Sequence, residues 1–163
     1  MVANVDTQIP VELNDQFIPT IISLLNQQKE KQNYCGILIC LTCLSSLCLY
    51  RYLHLFLLFI GSLCEKVCRD EVIDLLSEIA YQNGNSIQIM QQISLILMYC
   101  GGIESCISKI IESTLLLKLR SFVYLIIKDS SNQSIENCVY PFISIIHHLC
   151  MQGIHFSFFY LFD

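Results

Sequence analysis

Tryptophan is absent from this chain, and proline and glycine are scarce, at three and six of 163 residues. So few turn formers exclude a turn-rich all-β design. Charge is thin as well: 14 % of residues are Asp, Glu, Lys or Arg, against about 25 % in ordinary soluble domains. With 54 % apolar residues and a mean hydropathy of +0.56, disorder is excluded and a simple well-solvated domain is not expected. The nine basic residues are scattered and the net charge is −5, so nucleic acid is not expected as a partner. No Gly-rich phosphate loop, Gly-x-Ser-x-Gly elbow or His/Glu metal motif occurs, and Gly101-Gly102 lacks a following Lys-Ser/Thr. No enzymatic activity is expected, and no cofactor.

What the chain does have is cysteine, ten residues of it. A disulfide framework needs secretion, and the opening MVANVDTQIPVELND is acidic, without Lys, Arg or an apolar run. The cysteines sit in apolar stretches such as CGILICLTCLSSLC, where a reduced Cys acts as a small buried hydrophobe. Reduced core cysteines in the cytoplasm are therefore expected, and the sequon at Asn132 is read as a chance match. Cys40-Leu41-Thr42-Cys43 has neither a second pair nor a βαβ setting, and Cys64/Cys68 follows from helical spacing alone. His147 and His148 point about 100° apart on a helix, one buried and one exposed. No metal site is expected.

Residues 1–15 read as a loose polar lead-in. Asn14 or Asp15 can cap a helix from about Gln16, with Pro19 in its first turn. Asn26-Gln27-Gln28-Lys29 reads as a polar break before a second helix from about Glu30. From Cys64 the pattern is amphipathic. Val67, Val72, Leu75, Leu76 and Ile79 share one face, and Asp70, Glu71, Asp74 and Glu78 lie mostly on the other. Asn83-Gly84-Asn85 and Gly101-Gly102 bracket a helix at about Ser86–Tyr99. Further helices are expected over Ile103–Glu112, on to Lys128, and over Ile135–Gln152. The fold class is all-α.

Three segments echo one another: Ile22-Ser23-x-Leu25, Ile107-Ser108-x-Ile110 and Ile143-Ser144-x-Ile146. Their spacing fits multiples of about 40 residues. The stretch LLSEIAYQNGNSIQIM, then Gly101-Gly102-Ile103-Glu104 and CISKIIES, resembles the junction between repeats of the armadillo family and, more loosely, of its HEAT relatives. The resemblance spans roughly residues 16–152 and is strongest between 70 and 128. It implies a right-handed helical solenoid of three to four short repeats, with Leu76, Ile79 and Ala80 in the core. Gly101 and Gly102 would make a sharp turn. The Asn and Trp ladder that importin-type members use to hold extended peptides is missing.

That resemblance implies a non-catalytic interaction module or scaffold, or a fragment of a longer repeat protein. Its partner-facing surface would come from helices near 30–48, 70–82 and 116–128. Candidate contacts are Lys118 and Arg120, with Asp70, Asp74 and Glu78 favouring a basic protein partner. A second reading concerns residues 35–64, thirty positions with Arg51 as the one formal charge. Arg51 splits them into runs shorter than the roughly 20 residues of a span, so the segment is either buried in the solenoid or inserted in a membrane as an anchor. The tail 153–163 carries five aromatics and is a candidate for self-association.

Overall fold

Apolar residues at helical spacing shape most of the described elements, and among the described residues there is no strand. The structure, a computed structural model, describes residues 11–53, 61–128 and 135–151. Eight helices fill them: α1 (Val11–Glu30), α2 (Tyr34–Leu53), α3 (Gly61–Val67), α4 (Asp70–Gln82), α5 (Ile87–Cys100), α6 (Glu104–Glu112), α7 (Leu115–Lys128) and α8 (Ile135–Met151). The sequence-based expectation that residues 129–132 form a loop lies outside the described residues, as do those for Gly153 and the aromatic tail.

The first helix differs from its expected form. It starts at Val11 rather than Gln16, so Asn14 and Asp15 lie within it and Pro19 sits mid-helix instead of in the first turn. Proline there removes one backbone hydrogen bond, and just after it the Thr20 hydroxyl donates to the Gln16 carbonyl at 2.7 Å. Nor does the helix break at Asn26–Lys29, because Gln and Lys are good helix formers and Leu25 is fully buried. It ends instead at Glu30, two residues before Gln32, which takes the left-handed conformation with φ 52°. The amide of Gln32 then donates to Lys29 O at 3.0 Å and that of Asn33 to Gln28 O at 2.9 Å. These two bonds satisfy the last carbonyls of the helix. Asn33 precedes α2, its Oδ1 accepting from the Gly36 amide at 3.3 Å.

Local chemistry also sets the next boundaries. Ser86 caps α5 by accepting from the Ile89 amide at 3.3 Å. At the other end, a Cβ added to Gly101 would lie 3.0 Å from the Leu97 carbonyl oxygen, which favours glycine where the chain turns into α6. The amphipathic stretch from Cys64 is two helices rather than one, separated at Cys68-Arg69.

Some packing partners lie three helices apart in the chain, and others are neighbours in sequence. Helix α4 packs against α1 and α7, α5 against α2 and α8, and α3 against α6; the largest interfaces are α2–α5, α1–α2 and α5–α8. Polar links join the same partners. Lys29 of α1 pairs with Glu78 of α4, and the Tyr34 hydroxyl of α2 meets Ser86 Oγ and Gln88 Oε1 at 2.8 Å each. Ser105 of α6 donates to Glu65 of α3 at 3.0 Å. Two rows, α1–α4–α7 and α2–α5–α8, thus enclose one apolar core, in which Leu25, Leu41, Leu44, Leu76, Ile79, Ile93, Leu97 and Ile110 are essentially inaccessible.

The Ile-Ser echo does not mark equivalent positions in this arrangement. Ile107 is buried in the nine-residue α6, Ile22 is half-buried in the long α1, and Ile143 of α8 is 58 % exposed. The described part of 35–64 is divided between α2 and α3. Helix α2 buries Ile37, Cys40, Leu41, Leu44 and Cys48 and packs on α1, α3 and α5. No helix among the described residues is long and apolar enough to cross a membrane.

Candidate functional site

Helix α4 buries Val72, Ile73, Leu75, Leu76, Ile79 and Ala80, leaving its carboxylates on the outer face. Asp70, Asp74 and Glu78 are all exposed, but two of them are engaged within the molecule. Glu78 pairs with Lys29, and Asp70 lies 3.0 Å from Lys109 Nζ of α6. Part of the acidic face is thus already neutralised, and Asp74 is the candidate acid that remains outside these two pairs.

The two basic candidates lie on α7. Lys118 is half-buried, its ammonium 4.3 Å from the centre of the Tyr81 ring, a cation–π contact that joins α7 to the end of α4. Arg120 is half-buried too. The structure therefore brings Lys118 together with the α4 end of the acidic face. Of the three segments expected to form one surface, 70–82 and 116–128 share the α1–α4–α7 row, whereas 30–48 lies mainly in α2, in the other row.

Between α4, α5 and α7 is an open recess of about 440 Å³, bordered by Tyr81, Asn85, Met90, Lys118, Phe122 and Leu125. Beside it Tyr81, Leu117, Tyr124 and Leu125 are each more than half exposed. A second recess of about 620 Å³, lined by Ile18, Ile22, Arg69, Val72 and Leu75 among others, lies on the other flank of α4, against α1. The row thus presents two hollows on either side of one charged helix. Tyr81, Tyr124 and Leu125 escaped the sequence reading. The available signal was α7 itself, LLLKLRSFVYLIIK, which is apolar on nearly every side and so cannot be covered by one neighbour.

A third feature lies inside the core. The sulfurs of Cys48 (α2), Cys64 (α3) and Cys100 (α5) all lie within 4.8 Å of one another and are buried. Cys68 and Cys106 adjoin them. Hydrogen bonds from the Cys100 and Cys106 thiols hold Cys68 well below the ordinary thiol range, with help from the nearby Lys109 charge and against the effect of burial. Hydrogen bonding to its sulfur neighbours, followed by burial, pushes Cys100 up. Cys106 rises through its bond to Cys68. For Cys48 the bond with Cys100 acts downwards, but the bond to Cys64 and burial prevail. The Cys40/Cys43 motif is not part of this cluster; Cys40 is buried and Cys43 exposed. Sequence reasoning had only the one-turn spacing of Cys64 and Cys68 to work from.

His147 is exposed and His148 half-buried, their rings 6.0 Å apart. In comparison with known proteins, no family model, no curated protein and no solved structure matches this chain.

Proposed function

We propose that this chain is a non-catalytic protein-interaction module built as a short armadillo-like helical solenoid. The repeat reading is supported by the packing of each helix on the one three places along. The starts of α4 and α7 lie roughly 45 residues apart, within the usual armadillo period of about 40–47, whereas those of α1 and α4 and of α2 and α5 lie farther apart. Eight described cysteines are thiols rather than disulfides, in keeping with a reducing compartment such as the cytoplasm.

One observation carries the function: the open apolar face of α7 beside the α4 recess. Tyr81 is 73 % exposed, Tyr124 66 %, Leu117 55 % and Leu125 54 %. Clustered exposed aromatic and aliphatic groups bordering a hollow are characteristic of protein-docking surfaces, where tyrosine is enriched. The partner is a protein segment that sets an apolar side chain into the recess and a basic residue towards Asp74.

The test is site-specific photo-crosslinking in cells, with the photoreactive residue at Tyr124 and, as a control, at the exposed Ile39 of α2. A discrete adduct from position 124 that Leu125→Asp abolishes is expected. Identical, diffuse labelling from both positions would sink the reading.

A further inference from the structure

We propose that Cys48, Cys64 and Cys100 form a structural binding site for a thiophilic d10 cation, Zn2+ or Cu+, with Cys68 in reach as a fourth ligand. A buried cysteine taken singly is explained as a small hydrophobe. Convergence is what needs a reason, because five thiols from α2, α3, the α3–α4 link, α5 and α6 meet in one place.

The donor set selects the ion. All donors are sulfur and the triad is buried, which disfavours Mg2+ and Ca2+, since both require oxygen ligands. Thiolate–zinc bonds are about 2.3 Å long, so sulfurs sharing one ion sit roughly 4 Å apart. The triad, within 4.8 Å, needs to contract by less than about 1 Å to reach that spacing. Each ligating thiol gives its proton to solvent as the ion binds, and no electron moves. Three thiolates around Zn2+ leave one negative charge, or two if Cys68 joins, and the Lys109 ammonium near Cys68 offsets part of it. Such an ion would tie α2, α3 and α5 together across the core.

The experiment uses the full chain, purified under reductant and offered Zn2+ and Cu+ separately. Bound metal is counted by native mass spectrometry, and Co2+ serves as a spectroscopic probe. Uptake of about one ion per chain is expected, with thiolate-to-cobalt charge-transfer absorption and a fall in thermal midpoint when a chelator removes the ion. Cys68→Ser separates the two forms: it weakens binding where four sulfurs hold the ion and leaves binding unchanged where the triad alone does. Cys48→Ser and Cys64→Ser should lose the ion, while Cys43→Ser keeps it. Should the core variants fail to fold, the cobalt spectrum of the unaltered chain decides. A folded, reduced chain that takes up neither ion overturns the proposal. So does cobalt binding without thiolate bands, or a folded Cys48→Ser chain that retains its metal.

Discussion

Helices α5 and α7 are equally long, 14 residues each, and both are rich in leucine and isoleucine, yet they end in opposite circumstances. Helix α5 lies between α2 and α8 in its row and exposes only Gln88; even Ser94 is buried, its hydroxyl donating to the Met90 carbonyl at 2.8 Å. Helix α7 packs on α4 and α8 but leaves Leu117, Tyr124, Leu125 and Ile127 in the open. Apolar composition therefore does not fix burial; position in the row does. A helix flanked on both sides buries most of its circumference, whereas one flanked less fully retains a surface that another molecule can cover.

Core truncation should break the comparison most visibly. Ile93→Ala in α5 is expected to cost about 2–5 kcal/mol, because the surrounding helices cannot collapse into the cavity. Leu125→Ala in α7 should cost no more than about 0.5 kcal/mol. Denaturant unfolding of the two variants measures the gap, and similar losses would mean that α7 is covered after all. Next in size is Ser86→Ala, which removes the cap of α5 and part of the Tyr34 contact. A loss of about 1 kcal/mol is expected, read from the same curves.

A change of opposite sign comes from the α1–α2 corner. Gln32→Gly relieves a left-handed residue with φ 52° and should stabilise the fold by about 1 kcal/mol, raising the thermal midpoint. Smaller still is Glu78→Gln, which breaks the link between α1 and α4. Glu78 is 57 % exposed and Lys29 17 %, so a loss below about 1 kcal/mol is expected, shrinking as salt is added.

The weakest effect should come from His148 on α8. Among the described residues its buried Nδ1 has no hydrogen-bond partner, and burial, with His147 second, lowers its pKa from 6.5. The unfolded chain then binds more protons than the folded one near that pH. This contribution to stability is present above pH 6.5 and is lost as pH falls through that value towards the lower folded pKa. His148→Gln should flatten the dependence in unfolding curves collected between pH 7 and 5.

Much of the helical framework was legible from residues acting locally. Ser86 and Gly101 bound α5 close to where cap chemistry places them, and the apolar and charged faces of α4 separate as its spacing dictates. The α1–α2 corner was not legible, because Gln32 adopts a conformation usually marked by glycine or asparagine. The site features are harder again. Cys48, Cys64 and Cys100 are far apart in sequence and meet only through the packing of α2, α3 and α5. Similarly, nothing in LLLKLRSFVYLIIK states which of its sides lacks a neighbour.

Tyrosine labelling tests the central claim most directly, because the chain carries its own internal reference. Tyr99 in α5 is 8 % exposed, whereas Tyr81 and Tyr124 at the α4–α7 face are 73 % and 66 % exposed. Labelling followed by mass spectrometry is run on the purified chain and on the chain in its cell. Tyr81 and Tyr124 should react in the purified chain and be protected in the cell, with Tyr99 protected in both. Equal reactivity of Tyr81 and Tyr124 in the two settings would contradict a docking role for this face.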